Sequence, residues 1–238
     1  MQSNFKTQTN LVMTSEKEES GNLDITETLG KTELFIDKNK KNIAIVLGAL
    51  VVVLGGYFGY KKFVLEPKDK EAQAQMFVAE RYFEMDSLKL AINGDGNYKG
   101  FEAIISDYGM TKSANLAHYY LGMSYLKTGE FDKAIEHLKN FSSDDEVLKP
   151  IAIGAIGDAL MEQGKLDEAA AQYKLAADAK TNDFTSPIYL MKAGLAFEKA
   201  SKFNEAVAIY EKVKTDFSKT NEAANIDKYI ERAKGSSK

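Results

Sequence analysis

The residues whose types and spacing could do chemistry fall in three places. Asn93, Asp95, Gly96 and Glu102 match positions three, five, six and twelve of a calcium loop, in which side-chain oxygens surround the ion and the glycine makes the sharp turn. Position one is Ala91, which offers no oxygen, and bulky Tyr98 stands at the aliphatic position, so the stretch is read as a turn between helices. His118 and His137 are the two histidines of the chain. Neither has an acidic or second-histidine partner at motif spacing, so zinc or acid–base chemistry is not read from them. Asp144-Asp145-Glu146 is an acidic run read as a solvated cap before the next helix. Cysteine is absent, which removes thiolate nucleophiles, disulfides, cysteine zinc sites and a lipid-bearing export cysteine. No catalytic, cofactor-binding or metal-ligating residue is assigned. The remote alternative is a calcium- or metal-dependent enzyme domain built on Asp95 and Glu102.

The elements that would position these residues are of two kinds. Ile43 to Tyr60 is an apolar run without a charge, and as a helix it spans roughly 27 Å, close to the hydrocarbon thickness of a bilayer. Lys38, Lys40 and Lys41 precede it, Lys61 and Lys62 follow it, and Tyr57 and Tyr60 sit where aromatic rings favour the interface. The run begins far into the chain and no small-x-small cleavage pattern follows, so an uncleaved membrane anchor over 43–60 is expected. Within it Ala44, Gly48, Gly55 and Gly59 form a small-residue stripe along which a second helix could approach closely. Residues 1–42 read as a cytoplasmic tail, disordered over the first twenty residues, with a short amphipathic helix at Ile25 to Asp37. Residues 61–70 read as a linker. Lys plus Arg total 31 against 35 acids, for a net charge of −4, so no broad basic field draws in nucleic acid.

From residue 71 the apolar positions run at helical spacing, and a pattern recurs. Leu121-Gly122, Tyr125, Gly129, Phe131, Ala134 and Leu138 align offset for offset with Ile156-Gly157, Leu160, Gly164, Leu166, Ala169 and Tyr173. A third copy reads Ala193-Gly194, Phe197, Ser201, Phe203, Ala206 and Tyr210. A spacing of about 35 residues is the helix-turn-helix period of a tetratricopeptide repeat. The small residues let helix A of each pair pack on helix B, Gly129 and Gly164 end helix A in a left-handed residue, and Asp132 and Asp167 are expected to cap helix B. A degenerate copy is expected to precede these, with one long helix over Glu71 to Leu90 and a second over Phe101 to Tyr108. The fold class is therefore all-α, a tetratricopeptide-repeat solenoid preceded by one transmembrane helix. Repeats fall at about 71–112, 115–148, 150–183 and 187–220, and a capping helix at 221–234 turns Ala224, Ile226, Tyr229 and Ile230 inward.

Helix A residues on the concave face should form a peptide groove: Leu116, Tyr119, Met123 and Leu126, then Ile151, Asp158 and Met161, then Ile188, Met191, Leu195 and Lys199. Their apolar, methionine-containing character suits an adaptable surface for a peptide or helix.

The order of tail, Glu33-Leu34-Phe35-Ile36-Asp37-Lys38-Asn39-Lys40-Lys41, one membrane helix and divergent repeats resembles the ancillary SecYEG translocon subunit family of the YfgM type, over residues 25–234. Relative to the repeat pattern, His118 replaces the usual aromatic of helix A and Phe141 replaces an alanine of helix B. The resemblance implies a single-pass protein of the bacterial inner membrane, with its N-terminus cytoplasmic and its repeats in the periplasm. The implied partners are the SecYEG translocon, exported polypeptides and a periplasmic chaperone or membrane-anchored peptidyl-prolyl isomerase. It carries over no catalytic residue and no cofactor. The competing reading is an envelope-assembly or cell-division scaffold.

Overall fold

The computed structural model describes residues 25–236, and the disorder expected for the first twenty residues lies outside them. The chain divides into two compact units, 1–58 and 59–238. The first is described by helix α1, Ile25–Tyr60. The amphipathic lead-in and the apolar run are thus one helix and not two. The polar stretch between them holds no Pro or Gly, and the Asn39 side chain donates back to the Phe35 carbonyl at 2.9 Å. This helix is long and apolar enough to cross a membrane by length and composition.

The second unit is helical from its start. A π-helical turn over Lys61–Leu65 leads into α2, Glu66–Glu84, so the segment read as a linker is helix. The long helix expected to reach Leu90 ends at Glu84, because Asp86 takes φ +56° and breaks it. A short α3, Leu88–Asn93, follows, and α4, Phe101–Tyr108, matches its expected bounds. Three helical hairpins come next: α5 (Lys112–Thr128) with α6 (Phe131–Asn140), α7 (Leu148–Glu162) with α8 (Leu166–Ala179), and α9 (Ser186–Lys199) with α10 (Phe203–Asp216). A 3-10 turn at Ala223–Asn225 and α11, Ile226–Ser236, close the array.

Local chemistry sets these boundaries. Pro150 and Pro187 stand in the first turn of a helix, where a missing N–H costs nothing, and Pro67 follows directly on the π-helical turn. Thr111 caps α5 by accepting the Ala114 N–H at 3.1 Å. Gly129 and Gly164 end their A helices at φ +81° and +72°, and Ser201 does the same work at φ +58° without the freedom of glycine.

From α2 on, each helix packs on its successor, and the A helices also touch one another, α5 on α7 and α7 on α9. Two buried clusters result. One gathers Met76, Phe101, Ile104, Leu121 and Tyr125 from α2 to α6, and the other runs from Leu138 through Tyr173, Leu190 and Tyr210 to Ile230 and Ala233. Burying a side chain such as Phe101 or Leu121, both fully enclosed, contributes about 1.5–3 kcal/mol. In the cap, Ile226, Ile230 and Ala233 are buried and Tyr229 half-buried. Ala224 is exposed, because it lies in the 3-10 turn ahead of the helix.

Candidate functional site

The A-helix face is built on the three repeated glycines. A Cβ at Gly122 would lie 2.7 Å from Leu138, at Gly157 2.7 Å from Tyr173, and at Gly194 2.3 Å from Tyr210. Only a bare Cα lets the B-helix side chain lie across the A helix at these points. The tyrosines then reach back with their hydroxyls. Tyr173 donates to Asp158 at 2.6 Å, and Tyr210 donates to Glu198 at 2.6 Å. Burial first, and then the carboxylate partner, raises both phenols far above the ordinary tyrosine value.

Asp158 was expected to face a ligand but has two partners of its own. Besides Tyr173 it takes the Lys192 ammonium from α9, at 2.8 and 2.9 Å. The same ammonium lies over the Tyr173 and Tyr189 rings, 5.6 and 5.7 Å from their centroids. Tyr189 is pushed up to about 12, by burial first and then by the charges of Asp158 and Tyr119. The centre of the face is thus an ion pair roofing two stacked tyrosines.

The remaining residues expected to line a groove divide by exposure. Leu116, Tyr119, Met123, Leu126, Ile151, Met161 and Met191 are half-buried, and six of the seven, all but Ile151, pack against the two core clusters. Ile188 and Leu195 are 36% and 38% exposed, and Lys199 is exposed. Ile188, Met191 and Leu195 come together in one recess of about 320 Å³ with Lys192, Tyr229 and the polar residues Asn221, Glu222 and Asn225. The wall supplied by the C-terminal turn and cap was not read from the sequence as part of the groove. The inward turn of Tyr229 was the available signal.

On the outer side, Asp132 and Asp167 do not cap helix B. Helices α6 and α8 begin one residue before them, which puts each carboxylate at the second helical position. There each reaches the next repeat: Gln163 donates to Asp132 at 2.8 Å, and Lys202 pairs with Asp167 at 2.7 Å. Phe141 lies just past the end of α6 and not within helix B. The acidic run before α7 does cap: Asp145 accepts the N–H groups of Leu148 and Val147, which hold its carboxyl below the usual range.

The residues of the calcium-like stretch are taken up locally. Asp95 accepts the N–H groups of Tyr98 and Asn97 and the Tyr82 hydroxyl, and Glu102 accepts the Tyr125 hydroxyl from α5. The two carboxylates therefore brace different helices. Along α1 Ala44 is exposed, and nothing lies within 4 Å of a Cβ placed at Gly48, Gly55 or Gly59.

Stacked helical hairpins with an inner layer of A helices and a terminal cap define a solenoid of the interaction-scaffold kind. The chain belongs to the tetratricopeptide repeat-like domain family, whose model matches residues 39–221. In fold it is similar to a crystal structure of nearly identical TPR-like repeats from Podosopora anserina, with a TM-score of 0.53 and 17% identity over 71% of this chain and 87% of that one. No curated protein matches the chain.

Proposed function

We propose that this protein is a membrane-anchored scaffold whose A-helix groove holds a segment of a partner protein. The observation that carries the reading is the recess in which Ile188, Met191, Leu195 and Tyr229 meet beside the polar residues of the C-terminal turn. Apolar side chains left partly exposed next to hydrogen-bonding groups suit an amphipathic helix or extended peptide, which gains burial on one side and orientation on the other. The apolar part of α1 supplies the anchor in this reading. Its charge-free run and flanking lysines support a single pass of the bacterial inner membrane, with the repeats periplasmic.

The finer assignment is to the SecYEG translocon. It rests on the resemblance in element order and in the Glu33 to Lys41 lead-in. The anchor docks beside a translocon helix along Ala44, Gly48, Gly55 and Gly59, and the groove receives an exported polypeptide, a periplasmic chaperone or a membrane-anchored peptidyl-prolyl isomerase. Site-specific photocrosslinkers at positions 48 and 195 in intact cells test the two contacts separately. The first should capture a translocon subunit and the second an envelope chaperone or exported chain. Capture at position 195 without any translocon product at 48 would leave the scaffold and remove the translocon. Capture at neither position would overturn both.

A further inference from the structure

His118 on α5 and His137 on α6 play no part in the groove, yet the fold brings their Nδ1 atoms to 3.0 Å, with ring centroids 5.2 Å apart. A contact of that length needs one ring to present Nδ1–H and the other a bare Nδ1, so the pair can hold its geometry with at most one added proton. We propose that this pair is an acid-released latch on the α5–α6 hairpin: protonation of both rings leaves two N–H groups face to face and separates the helices.

The surroundings keep the rings from escaping the conflict. Both are half-buried, and the Tyr125 ring stacks on His137 at 5.6 Å with an interplanar angle of 21°. The charged groups that act on the pair come from α4 and α6. Glu136 on α6 favours protonation of both rings, and Glu102 on α4 favours that of His137, although its carboxylate already accepts the Tyr125 hydroxyl. Lys133 on α6 opposes protonation of His137; it lies 4.8 Å over the Tyr125 ring and pairs with Glu130 at 2.6 Å. Burial is the largest influence on each ring and the neighbouring histidine adds to it at His118, so both are held below the ordinary histidine value.

The direction of the effect follows. The unfolded chain takes up protons near pH 6.5 and the folded hairpin resists them to lower pH, so the stabilisation from this pair is complete above about 6.5. It is lost as pH falls through the depressed folded values. The latch also lies beneath part of the proposed groove, since Tyr119 follows His118 on α5 and packs on Phe141, just past α6, at 5.4 Å. That consequence rests on the groove reading; the latch does not.

Hydrogen exchange by mass spectrometry on the full chain in detergent, at pH 7.5 and 5.0 and normalised for the intrinsic exchange rate, reads the hairpin without any partner. Amides of α5 and α6 should exchange about tenfold faster at the lower pH while those of α9 and α10 keep their protection. His118→Gln and His137→Gln, each of which leaves a single imidazole, should each abolish that difference. Imidazole ¹⁵N spectra of the wild type should show two coupled titrations, both below 6.5. Equal normalised exchange at the two pH values, acid loosening that spreads evenly over all the hairpins, or loosening that survives in both variants would overturn the latch.

Discussion

Gly122 and Gly194 occupy the same place in their repeats but face different neighbours. The atoms nearest a Cβ at Gly122 include the Leu138 branch carbon Cγ at 2.7 Å and the Leu138 backbone N at 3.1 Å, so α6 itself must give way. At Gly194 they belong to the ring of Tyr210, which is fully buried and tied through its hydroxyl to Glu198, itself held by Arg232 at 2.7 and 2.9 Å. Alanine gains about 1 kcal/mol of helix propensity over glycine, whereas overpacking costs roughly 1–3 kcal/mol. Net of propensity, both substitutions should therefore destabilise by roughly 0–2 kcal/mol, Gly194→Ala the more because its closest approach is 2.3 Å against 2.7 Å at Gly122. Denaturant unfolding of both variants decides it, and equal effects would show that Tyr210 is free to move.

Among elements, the third hairpin differs from its neighbours in how helix A ends. Gly129 and Gly164 take a left-handed conformation that is free to them, and Ser201 takes it at φ +58°. A left-handed L-residue costs about 1–2 kcal/mol, part of which glycine returns through the greater entropy of its unfolded chain. Ser201→Gly should raise stability by about 0.5–1 kcal/mol, read as a higher thermal midpoint. A lower midpoint would mean that the serine side chain makes a contact that matters more than the strain. The ion pairs between successive repeats, Lys127 to Asp86 and Lys202 to Asp167, lie on the surface, where solvent screens them. The packed tyrosines and glycines hold the array; these surface pairs add little.

For the molecule as a whole, binding and stability should be separable at one end of the proposed groove and entangled at the other. Tyr119 and Met123 pack on the core cluster of the later repeats, so Tyr119→Ala with Met123→Ala removes packing as well as any contact to a partner. That pair should lose roughly 2–4 kcal/mol of stability. Ile188 and Leu195 are over a third exposed, and their double alanine variant should stay within about 1 kcal/mol of wild type while losing the partner captured at the recess. Unfolding curves measured beside co-purification separate the two. Full partner retention by the stable Ile188/Leu195 variant would place the binding surface elsewhere.

The period of about 35 residues, the three glycines at the hairpin crossings and the two glycine stops were legible in the amino-acid sequence. Each is a local requirement, for a left-handed residue or for a missing side chain, that recurs at fixed offsets. The apolar run of α1 was legible for the same reason, since its length and lack of charge are properties of consecutive residues. Tertiary structure alone decided the partners of the polar side chains. Asp158 looked like a groove residue by its place on helix A, yet Tyr173 and Lys192 claim it from two other helices. Asp132 and Asp167 looked like caps, but helices that start two residues earlier turn them toward the next repeat. His118 and His137 share no motif spacing in the chain, yet meet at 3.0 Å. Spacing along one helix determines which face a residue occupies; which group lies opposite depends on how neighbouring helices are set against it, and that is settled only when the whole stack closes.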